Sequence, residues 1–162
     1  MDSLTSHFRE NGDSVKFVGV FQNVDSDKVN KIASDLGLDY VQLHGIETPD
    51  YCAKIKVKII KVLSLSKVSN LEKIKADLDI YKVAYYLIDR EKQGEGDLPD
   101  SLQVKELVQS LPIMLAGGLT PENVSAIVMR VRTLAVDVAG GIETNGEQDG
   151  EKIRLFIKNA KG

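Results

Sequence analysis

The sequence predicts an α/β fold built on a parallel β-sheet. Short apolar runs rich in β-branched and aromatic residues alternate along the chain with longer amphipathic stretches. The apolar runs are nearly continuous in hydrophobicity, which is typical of strands buried on both faces of a parallel sheet. Regular alternation of strand and helix also favours right-handed crossovers between parallel strands. We therefore expect one domain over residues 1–162, made of about six βα units.

Each apolar run is followed by a stretch of helical periodicity, and a helical segment, Leu4–Glu10, leads the chain. The predicted strands are Phe17–Phe21, Tyr40–Leu43, Val57–Leu63, Val83–Ile88, Ile113–Ala116 and Leu134–Val138. The predicted helices are Asp27–Leu36, Pro49–Ile55, Leu71–Leu78, Leu102–Leu111, Pro121–Val131 and Glu151–Ala160.

Capping residues support two of these helices. Asp25 or Ser26 can accept hydrogen bonds from the first turn of the first helix, and Gly37 can end it. Before the fifth helix, Thr120 is expected at the N-cap, with Pro121 at the first helical position.

Two architectures fit this order of elements: a doubly wound open sheet and a (β/α)8 barrel. Six predicted strands cannot close an eight-stranded barrel. The α/β class follows from the alternation of strands and helices, whereas closure of the sheet into a barrel does not. Gln93–Pro99, which is rich in glycine and acidic residues, is predicted to be a flexible loop.

Composition excludes several classes of function. With 43% hydrophobic and 28% charged residues, the chain is not of the disordered type, and a net charge of −3 offers no basic surface for nucleic acid or membrane. The one cysteine, Cys52, excludes an intrachain disulfide, and Met1–Gly12 lacks the apolar core of a signal peptide. We expect a soluble cytoplasmic protein. No metal-ligand cluster, P-loop or GxGxxG motif is present.

Glycine pairs follow the last two predicted strands, at Gly117-Gly118 and Gly140-Gly141. Such pairs let the backbone approach a ligand and expose N–H donors, and this is where barrel enzymes hold a phosphate group. A single pair is more simply a tight turn. Two pairs at consecutive strand ends favour a phosphate-binding site.

Polar side chains at two further strand ends are candidates for chemistry. Asp89 ends the fourth predicted strand, where a carboxyl group in a pocket can serve as a general acid, or can simply cap a helix. Gln42 and His44 point the same way at the end of the second strand, although a lone histidine is more often structural. His7 carries no such signal, and Cys52 is expected to be a buried, unreactive thiol.

Four segments, in order, resemble the phosphoribosylanthranilate isomerase family of tryptophan biosynthesis, a branch of amino-acid biosynthesis. They are Val18–Phe21, Val41–Gly45, Leu115–Val124 and Val136–Gly146. The resemblance covers nearly the whole chain and implies a TIM (β/α)8 barrel that is incomplete here, with about six βα units corresponding to strands 3 to 8 of the family barrel. Residues 1–14 would then be a remnant of the second barrel helix and its linker, in a chain truncated at its N-terminus.

The resemblance also implies a reaction. It is a cofactor-free Amadori rearrangement, an aldose–ketose isomerisation that converts N-(5′-phosphoribosyl)anthranilate to 1-(2-carboxyphenylamino)-1-deoxyribulose 5-phosphate. By this resemblance Asp89 matches the general acid that opens the ribose ring. Gly117-Gly118 and Gly140-Gly141 match the phosphate loops, and Gln42 and His44 would line the pocket.

The sequence departs from the family in ways that bear on activity. The family's base is a cysteine in a Lys-hydrophobic-Cys-Gly segment, and its anthranilate carboxylate is held by an arginine; neither Cys52 nor Arg9 matches them. Glu95 adds negative charge near the expected phosphate site, and Ala139-Gly140 replaces a common Ser-Ser. Since a general base contributes about 10²–10⁴-fold to rate, the isolated chain is expected to have little isomerase activity.

Three hypotheses follow. The chain is an isomerase whose first strands precede Met1, a non-catalytic remnant that binds a phosphorylated ligand, or a partner that pairs with another chain. For the third, open strand edges at Phe17–Phe21 and Leu134–Val138 invite pairing, including homo-oligomerisation.

Overall fold

The computed structural model describes residues 15–64, 78–89, 108–109 and 111–162. The chain forms two compact units, the first taking in Met1–Val62 and Ala76–Tyr85 and the second Leu63–Lys75 and Tyr86–Gly162. The described residues of each unit contribute parallel strands and helices in alternation, which confirms the predicted α/β class. None of the helices in the described ranges is long and apolar enough to cross a membrane.

The first unit has three parallel strands in chain order, although the last two residues of its third strand are assigned to the second unit. Its elements are β1 (Val18–Phe21), α1 (Ser26–Leu36), β2 (Tyr40–Leu43), α2 (Pro49–Cys52) and β3 (Lys58–Ser64). Val29 and Ala33 of α1 pack with Val41 and Leu43 of β2 in a core from which water is excluded. The predicted alternation of buried strands and amphipathic helices therefore produces this core.

The ends of α1 follow the predicted capping chemistry. The Asp25 side chain accepts hydrogen bonds from the backbone N–H groups of Asp27 and Lys28, at 3.0 and 3.2 Å. Gly37 has a φ of 62°, the left-handed conformation that ends a helix, and its N–H bonds to the Ser34 carbonyl. Of the two predicted caps, Asp25 takes this role and Ser26 is the first helical residue.

The second unit carries the remaining parallel strands, in chain order, a short antiparallel pair and two helices, although the first residue of its first strand, Tyr85, is assigned to the first unit. Its elements are β4 (Tyr85–Asp89), β5 (Ile113–Ala116), α3 (Val124–Val131), β6 (Ala135–Val136), β7 (Glu143–Thr144), β8 (Glu147–Gln148) and α4 (Gly150–Lys161). Leu87 and Ile88 of β4 and Leu115 of β5 are almost fully buried, which anchors the carboxyl ends of these strands.

The start of α3 differs from the prediction. The helix begins at Val124, and Thr120 is not its N-cap. Instead the Asn123 side chain accepts a hydrogen bond from the Thr120 N–H and donates one to the Gly118 carbonyl, both at 2.9 Å. These two bonds hold the backbone of residues 118–123 in a turn, so the helix is delayed by three residues.

A short hairpin between β7 and β8 was not predicted. Its turn is Asn145-Gly146, with φ angles of 55° and 82°. Asn-Gly is the strongest short-range signal for a two-residue hairpin turn, so the dipeptide itself indicates this hairpin.

The other predicted elements agree with the structure to within a few residues where they can be compared. The predicted helix Pro49–Ile55 is shorter, ending at Cys52. Residues 1–14, the loop Gln93–Pro99, and most of Leu71–Leu78 and Leu102–Leu111 lie outside the described residues.

We expect Asp25→Ala to lower the free energy of unfolding by about 1 kcal/mol, because two N–H groups of α1 lose their acceptor. Ser34→Ala, an exposed position in the same helix, is the control and should change it by less than about 0.5 kcal/mol. Urea denaturation followed by circular dichroism measures both. Equal stabilities of the two variants would contradict the capping role.

Candidate active site

In the second unit, Asp89 is the last residue of β4 and lies beside the end of β5. Its Cα partner across the parallel pair is Ala116, the residue immediately before Gly117. Asp89 is half-buried and directly follows the core residue Ile88. Reactive groups of parallel α/β proteins collect at this end of the strands. The register therefore places the predicted acid next to the first glycine pair.

The first glycine pair forms a turn that other residues could not easily adopt. Gly117 and Gly118 have φ angles of 84° and 63°, both in the left-handed region. The turn is fixed at its far side by the hydrogen bond from Asn123 to the Gly118 carbonyl, and by Leu119, which is 2% exposed. Consecutive glycines in this conformation make a concave stretch of backbone that can receive an anion.

The second glycine pair lies in a short 3-10 turn, Gly140–Ile142, after β6. Gly141 packs so closely against the backbone at Leu119 and Thr120 that a Cβ atom there would collide with the Leu119 carbonyl oxygen. Gly140 has open space around it. The turns after β5 and β6 are therefore in contact, and the absence of a side chain at Gly141 permits that contact.

In the first unit, Gln42 and His44 lie at the end of β2. Gln42 is 8% exposed and is in register with Val20 and Ile60. The His44 residue is exposed, and its backbone N–H donates to the Phe21 carbonyl at 2.8 Å. The structure thus places both predicted residues at a carboxyl strand end of the first unit, while Asp89 and the glycine pairs belong to the second.

A buried ion pair next to His44 was missed by the sequence reasoning. The Lys61 ammonium lies 2.8 Å from a Glu47 carboxylate oxygen, and both side chains are at most 4% exposed. The same ammonium donates to the carbonyl oxygens of Gly45, at 2.7 Å, and Leu43, at 3.3 Å. A lysine within the apolar run of β3 is the one signal that could have indicated it, since charged residues are rarely buried without a partner.

The Glu47 carboxylate is held by several donors. It accepts hydrogen bonds from the backbone N–H groups of Asn23 and Gly45, at 2.9 and 3.0 Å, in addition to Lys61. Burial acts to raise the pKa of Glu47, but the hydrogen bonds from Lys61 and Asn23 outweigh it, so this pKa lies below its ordinary value. Glu47 is therefore ionised at neutral pH.

Cys52 is buried, as predicted, with 4% of its surface exposed. Burial raises the pKa of its thiol above the ordinary value, which disfavours the nucleophilic thiolate. The cysteine is therefore a packing residue in the core of the first unit. Among the described residues no group of histidine, cysteine, aspartate or glutamate side chains could hold a metal ion.

The fold and the strand-end turns define a class, the TIM-barrel-like α/β proteins. A solved structure of 3-hexulose-6-phosphate synthase from Salmonella typhimurium is similar to this chain in fold, with a TM-score of 0.70 at 14% identity, covering 96% of this chain and 77% of the other. The family model for N-(5′-phosphoribosyl)anthranilate isomerase matches residues 2–159. The chain belongs to this family, which confirms the resemblance found in its four segments.

Relatives in bacteria and yeast also place the chain in this family. The N-(5′-phosphoribosyl)anthranilate isomerase of Desulforudis audaxviator is 38% identical over 99% of this chain and 79% of its own length. That of Saccharomyces cerevisiae is 37% identical over 99% of this chain and 75% of its own. Both comparisons run through the segments that carry the candidate residues.

Solved structures of the family are also similar. A monomeric form of the dimeric Thermotoga maritima enzyme matches 92% of this chain and 74% of its own, with 33% identity and a TM-score of 0.75. A second solved structure is of a phosphoribosyl anthranilate isomerase in complex with reduced 1-(o-carboxyphenylamino)-1-deoxyribulose 5-phosphate. It matches 91% of this chain and 72% of its own, with 36% identity and a TM-score of 0.74.

We expect Gly141→Ala to lower the free energy of unfolding by about 2 kcal/mol, because the added methyl group forces apart the turns after β5 and β6. Gly140→Ala is a matched control at the adjacent position, where the methyl group meets nothing, and should cost less than about 0.5 kcal/mol. Thermal unfolding distinguishes them. If the two variants melt alike, the turns do not make the contact described.

Glu47→Gln is expected to lower the free energy of unfolding at pH 7 by about 3 kcal/mol, because it leaves the Lys61 charge buried without its partner. The folded-state pKa of Glu47 is lowered, so the stabilisation is complete above the ordinary value of 4.5 and is lost as pH falls through the folded-state pKa. The stability difference between wild type and variant should therefore shrink below pH 4.5 in urea titrations. A difference that stays constant with pH would contradict the ionised pair.

Proposed function

We propose that this protein acts as an N-(5′-phosphoribosyl)anthranilate isomerase, in which Asp89 is the general acid and the two glycine turns bind the substrate phosphate. The observation that carries the proposal is the register of β4 with β5, which sets Asp89 beside the residue that precedes Gly117. Membership of the family supports the proposal that the substrate is a phosphorylated small molecule. No cofactor is part of the proposal.

The glycine turns suit a phosphate ester because they offer it backbone N–H groups instead of charged side chains. Gly117 and Gly118 supply left-handed backbone, and the close packing of Gly141 on Leu119 brings the second turn against the first. Backbone N–H groups at such turns bind a phosphate without a lysine or arginine. This supports a phosphate site in a protein whose net charge is −3.

In the proposed reaction, the protonated Asp89 carboxyl gives its proton to the ribose ring oxygen as the bond from that oxygen to C1 breaks. A base then removes the proton from C2, and the resulting enolamine tautomerises to the ketose. Gln42 and His44 are proposed to contact the substrate, on the ground of the family motif they match.

The base is not assigned within the described residues. Cys52 is unsuited, since it is buried and its pKa is raised. On the basis of the sequence, we propose that the 162-residue chain has little isomerase activity alone. Full activity requires the strand that carries the Lys-hydrophobic-Cys-Gly segment in the family. In this proposal residues 1–162 form a single partial barrel domain, 1–14 belong to the second barrel helix and its linker, and the reaction takes place in the cytoplasm.

Binding tests the proposal most directly. We expect the reduced product analogue to bind the chain in isothermal titration calorimetry and inorganic phosphate to compete with it. Gly118→Ala should weaken both ligands, because alanine strains the left-handed turn, whereas Gly150→Ala at the start of α4 should weaken neither. A chain that binds neither ligand would overturn the proposed function.

The role of Asp89 is tested by turnover. A fragment that carries the first two strands of a family member is added to the chain to supply the cysteine base. We expect Asp89→Asn to reduce the restored rate by about 10²–10⁴-fold, because asparagine cannot donate the proton. Asp79→Asn, at an exposed position in the first unit, is the control. Equal rates for the two variants would exclude Asp89 as the acid.

An assembly role is a second candidate, and exposed strand residues favour it. Val18 and Val20 on β1 are 41% and 62% exposed, and Leu134 beside β6 is 59% exposed. Apolar residues at the open edges of a parallel sheet can pair with another chain. We propose homodimerisation through these edges, which the dimeric Thermotoga maritima relative makes reasonable. A monomer in analytical ultracentrifugation would exclude it.

A further inference from the structure

The turn from His44 to Ile46, which joins β2 to α2, combines an exposed tip with a buried charged base. His44 is exposed and Ile46 is 82% exposed. Directly beneath them, Lys61 and Glu47 are 3% and 5% exposed. An exposed turn of this kind would ordinarily be mobile, since few apolar contacts restrain it. Here its restraint comes from the buried ion pair.

The Lys61 ammonium has three protons and three acceptors. Two of them, the carbonyl oxygens of Leu43 and Gly45, belong to the residues on either side of His44. The third is the Glu47 carboxylate. The ammonium therefore fixes the peptide group that precedes His44 and the one that follows Gly45.

Glu47 and Asn23 fix the opposite side of the same turn. The Glu47 carboxylate accepts from the Gly45 N–H, and the Asn23 side-chain oxygen accepts from the Ile46 N–H at 2.8 Å. Asn23 itself has a φ of 53°, and its N–H is bonded to Glu47. A Cβ at Gly45 would collide with the Asn23 side chain. In this arrangement of the turn each of these groups has a hydrogen-bond partner.

Stability alone does not require charges here. Apolar side chains of similar volume usually replace a buried ion pair without loss, whereas directed hydrogen bonds to chosen carbonyls need an ammonium group. What the pair adds is the orientation of the backbone at His44. Holding a binding group rigidly before the ligand arrives reduces the cost of binding.

We propose that Lys61 and Glu47 are positioning residues that orient His44 for the phosphorylated aryl-sugar substrate. Their importance for substrate rests on the proposed function. The positioning itself is a property of the first unit and can be measured without any ligand.

The experiment compares Lys61→Met, Glu47→Gln and the double variant by NMR. The chain has two histidines, so the variant His7→Gln assigns the imidazole signals of His44. A matched double variant, Lys31→Met/Asp35→Asn, removes an exposed ion pair in α1. Hydrogen exchange of the Gly45 and Ile46 amides is recorded beside the imidazole signals.

The double variant separates positioning from stability. Each single variant should be less stable than wild type, and the double variant should recover much of the loss because no lone charge stays buried. If the pair positions His44, the double variant still shows a displaced His44 signal and about tenfold faster exchange at Gly45 and Ile46. The control variant shows neither. A double variant with wild-type His44 signals and exchange would overturn the proposal.

Ligand binding distinguishes the two proposals. We expect the double variant to bind the reduced product analogue about tenfold more weakly and inorganic phosphate as wild type does. If wild type binds no analogue, the proposed function fails, while the NMR result still decides the positioning. If the double variant binds the analogue as tightly as wild type, the pair has no role in substrate binding.

Discussion

The close contact between Gly141 and the carbonyl of Leu119 is the constraint on which the candidate phosphate site depends. Parallel strands bring their carboxyl ends to one edge of a sheet, but the turns that follow can meet only where side chains leave room. At Gly141 there is no side chain, so the turn after β6 lies against the turn after β5. The β4–β5 register then sets Asp89 beside the same strand end.

The two units hold their strand-end turns by different means. In the second unit the Asn123 amide and left-handed glycines shape a turn without charge. In the first unit a buried lysine and glutamate, with Asn23, hold the turn at His44. An uncharged backbone turn suits an anionic ligand, because its N–H groups donate hydrogen bonds and no long side chain has to be ordered. A buried ion pair suits a turn that must stay in place without apolar packing.

Membership of the isomerase family explains why these groups occur in one chain. The isomerases of Desulforudis audaxviator and Saccharomyces cerevisiae are 38% and 37% identical to this chain, which spans 79% and 75% of their lengths. The chemistry of the family needs a proton donor near the ribose oxygen and a base near C2. Asp89 is the proposed donor, whereas Cys52 is buried and its raised pKa disfavours the thiolate that a base requires. The proposed phosphate site and the proposed proton donor thus both lie among the described residues, whereas the base is not assigned among them.

The sequence by itself determined the α/β class, the strands and the longer helices of the described ranges, because hydrophobic period and capping are local properties. It also indicated the candidate residues at the strand ends, from glycine pairs, Asp89 and the Gln42-Leu43-His44 segment. Only the tertiary structure decided that Gly141 touches Leu119, that α3 begins at Val124, and that Lys61 binds Glu47. These depend on groups far apart in the chain or on a side chain folding back on its own backbone, and neither strand nor helix periodicity encodes them.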